Sequence, residues 1–399
     1  MGYVAVKGGT EAIENAAMFL NYERIKGNSE PLRVEQIKEQ LYLLVDRVMG
    51  EGSLYAPELA ALVIKQSAGD TFEAAFMLRA YRTTLPRVGY SIPQSTKEMR
   101  VIRRISAAFK DIPGGQILGT TPDYTLRLLD FELLNDTSEK RESFIRGLFN
   151  GIDAAPPIPD SFPKVIEVLR NEGLLIESVS SQNGLPACLP ERVRSQSGNA
   201  QAGIFDITRQ SLTFPAPRSA AMQTMARGET GGMLLLAYSN IRGYGDIHPF
   251  LGEMRVGYIP VKIKHPLTGE PYTVGEVKVT EAEIIARFTI KDGSPKFTLG
   301  YGLCFGHNET KAITMAILDR AMQSAEPKPV TEVPSITAFE GRLNRGMPSE
   351  DQEFVLYHLD GIESMGFCNH WKLPHYVTFQ SDLDRLKKAQ QESGVKNET

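Results

Sequence analysis

Three cysteines in 399 residues are too few to build any cysteine framework. Cys188, Cys304 and Cys368 lie far apart. They offer neither the paired spacings of a disulfide scaffold nor the three or four clustered thiolates of an iron–sulfur centre. No run of 18 uncharged apolar residues occurs, so no segment qualifies as a membrane-spanning helix. Charge of one sign is also missing: 44 Lys and Arg stand against 48 Asp and Glu, a net −4. Nothing global therefore points to a nucleic-acid partner or a membrane surface. The GxGxxG and GxxxxGK[ST] fingerprints of dinucleotide and P-loop sites are absent. The first nine residues carry no signal-peptide pattern, and Val6 stands where a myristoylation motif needs Ser or Thr. We expect a cytoplasmic protein with reduced cysteines.

What is present is an ordinary globular composition, 42% hydrophobic and 23% charged. The patterning predicts an α+β fold. A helical N-terminal region spans residues 1–110. A mixed α/β region with antiparallel hairpins follows over 111–325, with a flexible loop near 178–203. Residues 326–399 form a C-terminal region that ends in a helix. Apolar spacing predicts helices over Thr10–Lys26, Arg33–Met49, Pro57–Gln66 and Thr96–Phe109. Asp70-Thr-Phe-Glu73 is a capping box opening another. Gln116–Leu134 reads as extended, and Met233–Tyr238 as a short buried strand. Phe162–Glu172 reads as a helix closed by Gly173. Arg255–Lys264 and Tyr272–Val279 bracket a Pro/Gly turn, which predicts a β-hairpin. Asn308–Gln323 and Gln380–Gln391 read as helices, and 154–163 and 325–348 as Pro-rich loops.

Three constellations could carry chemistry. Between Arg79 and Lys110 eight cations, including Arg103 and Arg104, face one acid, Glu98. Arginine matches phosphate bidentately, so the segment suits polyphosphate or phosphonate; a solvated helix face or pairing with acidic residues is the plainer alternative. Glycines and aromatics cluster at Arg242-Gly-Tyr-Gly-Asp246-Ile-His248, at Gly252-Glu253-Met-Arg255 and at Gly300-Tyr-Gly302. Glycines there permit close approach of a ligand or sharp turns, and the acids and histidines are acid–base candidates. Last comes Cys368-Asn-His370-Trp-Lys-Leu-Pro-His375. Histidines five apart converge only if Lys372–Pro374 bends, and two make half of a zinc site, which takes four ligands.

Taken in order, these stretches resemble the PhnI family, a subunit of the bacterial carbon–phosphorus lyase core complex. The resemblance rests on Tyr3 to Gly9, Leu78-Arg-Ala-Tyr-Arg-Thr-Thr84, Arg103-Arg-Ile-Ser106, Lys110-Asp-Ile-Pro-Gly-Gly-Gln116, Leu126–Phe131, Arg242-Gly-Tyr-Gly245, Gly300-Tyr-Gly302, Asp351–Leu356 and Lys372-Leu-Pro-His-Tyr-Val377. It covers nearly the whole chain.

The resemblance implies a nucleosidase-like transferase. With MgATP as co-substrate, ribose 5-triphosphate passes to an alkylphosphonate and adenine is released. It implies PhnG, PhnH, PhnJ and PhnK as partners, with PhnL needed for activity. It also implies zinc or a similar divalent metal at His370 and His375, shared with a partner subunit. For the sugar chemistry the carboxylate candidates are Asp246, Glu253 and Asp111; for the anions, Arg103, Arg104, Lys110, Arg242 and Arg255. A scaffold role in the same complex is the alternative.

Overall fold

In this computed structural model, the structure describes residues 9–148, 162–176, 205–241, 249–291, 294–324, 348–372 and 376–394. Its N-terminal part is helical: α1 (Gly9–Ile25), α2 (Val34–Gln40), α3 (Tyr42–Gly52), α4 (Pro57–Gln66) and α5 (Thr71–Thr84). Helices α2 to α5 share an apolar cluster that includes Val45, Val48, Met49, Ala60, Ile64 and Leu78. The expected cap forms: Asp70 Oδ1 accepts from the amides of Phe72 at 3.0 Å and Glu73 at 3.2 Å. The expected helix over Arg33–Met49 is two helices. Leu41 leaves helical geometry (φ −109°, ψ 38°) and turns the chain between them.

The centre is a four-stranded antiparallel sheet in the order β1-β2-β3-β4. Its strands are β1 (Arg100–Ile105), β2 (Phe250–Lys264), β3 (Pro271–Lys291) and β4 (Ser294–Phe305). Strands β2 and β3 are the expected hairpin. The α+β class is as read from the sequence.

Three expectations were wrong. Thr96–Phe109 is not a helix: Thr96–Glu98 is a single 3-10 turn, and β1 follows. Val101, Ile102 and Ile105 are β-branched and lose rotamer freedom in a helix, whereas the open edge of β2 offers them a ladder. Gln116–Leu134 is not a strand. It joins the sheet through an Ile117–Arg104 bridge and through Arg103, which bonds Leu118 and Asp123, and Leu126 and Arg127 both sit at φ 55°, which breaks any extended run. Met233–Tyr238 lies inside a helix. Met, Leu and Ala are strong helix formers, and Met233 and Ala237 bury one face at i, i+4 spacing.

The remaining helices are α6 (Ser138–Leu148), α7 (Val165–Asn171), α8 (Arg218–Arg227), α9 (Thr230–Ile241), α10 (Glu309–Ser324), α11 (Gln352–His358), α12 (Gly361–Lys372) and α13 (Tyr376–Glu392). Gly173 follows α7 at φ +72°, as expected of a C-cap glycine. The loops expected near 178–203 and 325–348 lie almost wholly outside the described residues.

Strand alternation gives the sheet two unlike faces. Ala282, Ile284 and Cys304 face α10 in the largest core, with Met315, Ala316 and Leu318. The helix lies very close. A Cβ on Gly300 would stand 1.9 Å from the Ala316 carbonyl oxygen, and one on Gly302 would stand 2.0 Å from that of Ala312. These glycines admit a helix. The opposite face carries charge and is covered by the chain around α7.

Candidate functional site

The charged face is laid out by strand register. Arg104 of β1 stands opposite Arg255 of β2, and Arg255 opposite Glu281 of β3. One step along, Glu253 stands opposite Glu283, and Glu283 opposite Tyr301 of β4. Residues two apart on a strand share a face, so both rows point the same way. Glu253, Arg255, Glu281 and Glu283 are all buried. Charges are removed from water at such cost only when they answer one another.

Glu281 is fully engaged. Lys164 Nζ lies 2.7 Å from its Oε1, and Thr96 Oγ1 and the Tyr301 hydroxyl donate to the same oxygen at 2.6 and 2.8 Å. Arg255 Nε donates to Oε2 at 3.0 Å, joined by a second nitrogen of the same guanidinium. Glu283 has a weaker claim. Lys164 Nζ lies 2.9 Å from its Oε1, while its Oε2 is buried with no hydrogen-bond partner among the described residues.

The two carboxyls consequently titrate apart. Burial alone would raise Glu281, but Arg255 and then Lys164 hold it down at about 2. Burial also raises Glu283, and Lys164 does not offset it; the nearby charge of Glu281 adds to the rise, to about 7. Near neutral pH Glu281 is ionised, while Glu283, with its pKa raised to about 7, is near its titration midpoint. Split pairs of this kind mark acid and base assignments in enzyme sites. Burial and then Glu281 push the Tyr301 phenol up, so it remains a proton donor.

Glu283, Lys164 and Tyr301 line a cleft of about 270 Å³. Ser95, Thr96, Lys97, Ile166, Glu167, Arg170, Arg218 and Leu299 complete its lining, and Lys97 is paired with Glu167 at 2.5 Å. Arg218, the first residue of α8, is held by Asp319 at 3.1 and 2.6 Å. The volume is below the usual range for whole drug-sized ligands and suits a sugar ring, with charged groups left at a cationic mouth.

The structure brings Arg104, Glu253 and Arg255 into this layer, beneath the cleft. Glu253 Oε1 accepts from Arg104 Nε at 2.5 Å, and its Oε2 accepts the Val165 amide at 3.1 Å. That carboxylate therefore fastens the start of α7. Arg104 also donates to the carbonyls of Pro113 and Gly115 at 2.5 and 3.1 Å and of Pro163 at 2.8 Å. Arg103 serves elsewhere. It bonds Glu309 at 2.5 Å and Asp123 at 2.8 Å, tying the 118–123 turn to the start of α10. Lys110 and Asp111 are exposed in a turn. Arg242, Asp246 and His375 lie outside the described residues.

The basic segment mostly pairs with acids distant in sequence. Arg79 meets Asp360 at 2.8 Å, Arg87 meets Asp206 at 2.5 Å, Lys97 meets Glu167 at 2.5 Å and Arg100 meets Glu276 at 2.8 Å. His370 is exposed in the last turn of α12, and Cys368 is exposed two residues earlier. Cys368 and His370, two apart on the helix, point to different sides of it. Among the described residues no group of three His, Cys, Asp or Glu could hold a metal ion.

Sequence reasoning missed Glu281, Glu283, Lys164 and Arg218 as site residues, whereas Tyr301 lies in the Gly300-Tyr-Gly302 stretch it singled out. One signal was available. Val277-Lys-Val-Thr-Glu281-Ala-Glu283-Ile-Ile places two acids on one face of an otherwise apolar strand, and buried acids call for partners. Lys164 and Arg218 carry no such mark.

A sequence model described as "Bacterial phosphonate metabolism protein (PhnI)" matches residues 2–393. The chain is 53% identical to HtxH of Stutzerimonas stutzeri over 394 residues, 98% of this chain and 96% of that protein. It is 45% identical to the alpha-D-ribose 1-methylphosphonate 5-triphosphate synthase subunit PhnI of Escherichia coli (strain K12), covering 98% of this chain and 99% of that one. The protein of the same name from Rhizobium meliloti (strain 1021) is 41% identical over 98% of this chain and 95% of its own length.

Proposed function

The chain belongs to the PhnI family of bacterial phosphonate metabolism proteins, and on that premise we propose that it carries the transfer of ribose 5-triphosphate from MgATP to an alkylphosphonate, with release of adenine. The observation that carries this reading is geometric: Glu283 lines the cleft with one buried oxygen unpaired among the described residues, and Lys164 bridges it to Glu281 beneath. Breaking the bond from C1′ to adenine generates oxocarbenium-like character, as glycoside cleavage does. Glu283 supplies the proton to the departing base. Glu281, fixed by Lys164 and Arg255, supplies negative charge near the developing cation. The phosphonate oxygen then bonds to C1′ as the C–N bond breaks. Arg170, Arg218 and Lys97 at the mouth answer the phosphate and phosphonate charges. Glu253, Arg255 and Arg104 hold the acidic pair in register, and Lys110, Asp111, Arg242 and Asp246 are proposed contacts of the nucleotide outside the cleft.

The partners proposed are PhnG, PhnH, PhnJ and PhnK, with PhnL, in the cytoplasm. No helix among the described residues is long and apolar enough to cross a membrane. His370 and His375 are proposed to hold a divalent metal of the zinc type, with a partner subunit completing the four ligands. A scaffold role is the second reading. It draws on the apolar side chains that Leu126, Leu128, Leu129 and Leu134 expose by 77 to 82%.

The assay is adenine release by the assembled complex given MgATP and methylphosphonate. Glu283→Gln is expected to slow release by about 10²–10⁴-fold while the complex still assembles. Release at the wild-type rate would refute the assignment, and no release by the wild-type complex would favour the scaffold.

A further inference from the structure

Asp319 is a buried acid of α10 that stands behind the carboxylate cleft rather than in its lining. Its place follows from the Gly300-Tyr-Gly302 stretch. The two glycines let the carbonyls of Ala316 and Ala312 come against β4. Positions 312, 316 and 319 are spaced by four and three residues, so Asp319 shares the helix face of those alanines. That face meets β4, the edge strand of the sheet, whose outward amides have no strand to bond. Asp319 Oδ2 accepts one of them, the Tyr301 amide, at 2.9 Å.

The same carboxylate takes two parallel bonds from Arg218. Nε donates to Oδ1 at 3.1 Å and Nη2 to Oδ2 at 2.6 Å. The rigid fork of a guanidinium makes such a pair directional as well as strong. Burial lowers the Arg218 pKa, and Asp319 with Tyr301 more than offsets it, so the net shift is upward. The Arg218 side chain is 44% exposed and that of Asp319 only 3%. A long, half-exposed side chain has many rotamers, and a buried acid selects one. Both groups that Asp319 holds line the cleft, Tyr301 from the sheet and Arg218 from the start of α8.

We propose that Asp319 is a positioning residue for the transfer reaction, aiming the Arg218 guanidinium into the cleft and fixing Tyr301 beside Glu283 through one carboxylate. The inference rests on the reading of that cleft as the transfer site. Asp319 touches no substrate. It occupies Nε and Nη2 of Arg218, which leaves Nη1 for a charged group in the cleft.

The test is a double-mutant cycle in the assembled complex, read as adenine release with methylphosphonate varied at saturating MgATP. Asp319→Asn keeps the shape and removes the charge. It is expected to raise KM about tenfold with kcat little changed, the loss of one charge-assisted contact. In an Arg218→Gln background the same change should leave KM unmoved, because the group it acts through is gone. An equal rise in both backgrounds, or wild-type KM in Asp319→Asn, would overturn the role. Arg218→Lys, at a partly exposed position, keeps the charge and loses the fork. Its KM should rise as far as that of Arg218→Gln, and a wild-type KM would show that aiming is not needed. A second readout needs no adenine release, so its failure is separate from failure of the transfer reading. Phenylglyoxal should label Arg218 several-fold faster in the Asp319→Asn complex than in the wild type, while the exposed Arg100 labels equally in both. Equal labelling of Arg218 would overturn the hold of Asp319 on it.

Discussion

Replacing Glu283 by Gln should reshape the pH dependence of stability in a way set by one buried carboxyl. Glu283 is 5% exposed, and its folded pKa is about 7 against 4.5 for an ordinary glutamate. A raised folded pKa means that the native state holds a proton the unfolded chain has released. The stability this contributes is fully present below pH 4.5 and is lost as pH rises through 7. The gap corresponds to about 3 kcal/mol at 1.36 kcal/mol per pH unit. Glu281 acts in the other direction. Its pKa is held at about 2, so its contribution is present above 4.5 and fades only as pH falls toward 2. Glutamine mimics the protonated form of Glu283 and cannot ionise, while Glu281 keeps Lys164. The difference in unfolding free energy, variant minus wild type, should therefore climb by about 3 kcal/mol between pH 4.5 and pH 8. Urea denaturation at four pH values measures it. Far-UV circular dichroism is the better probe, because the single tryptophan, Trp371, is 70% exposed. Parallel stability curves for the two proteins would refute a protonated Glu283.

Two further substitutions test the layers around the site. Glu253→Ala strands the buried Arg104 and leaves the Val165 amide unpaired, so a loss of about 3–5 kcal/mol is expected in denaturant titrations. A loss under 1 kcal/mol would show that the pair is dispensable. Gly302→Ala drives a methyl against the Ala312 carbonyl, 2.0 Å from the ideal Cβ, and must push α10 off the sheet. It should cost about 1–3 kcal/mol or more in thermal melts, and an unchanged melting temperature would refute the close approach.

Local features were legible where a few neighbouring residues decide them. The Asp70 cap, the β2–β3 hairpin and α10 all depend on short-range chemistry and appear where the pattern places them. Residues 96–109 and 233–238 were misread because short apolar or charged runs carry no decisive period. What settled them was a strand edge available to β1 and a packed core against α9. Glu253, Arg104 and Arg255 were named as candidates from their glycine- and arginine-rich stretches, and the structure sets them beneath the cleft. Lys164 was invisible, since it stands 117 residues from Glu281 and 119 from Glu283.

By itself the amino-acid order determined the α+β class, the family and the local elements, because helix caps, turns and strand alternation are properties of adjacent residues. Only the tertiary structure decided which charges answer one another. A carboxyl's proton depends on burial and on charges within a few ångströms. Here those come from β2, β3 and the start of α7, which converge only in the folded sheet.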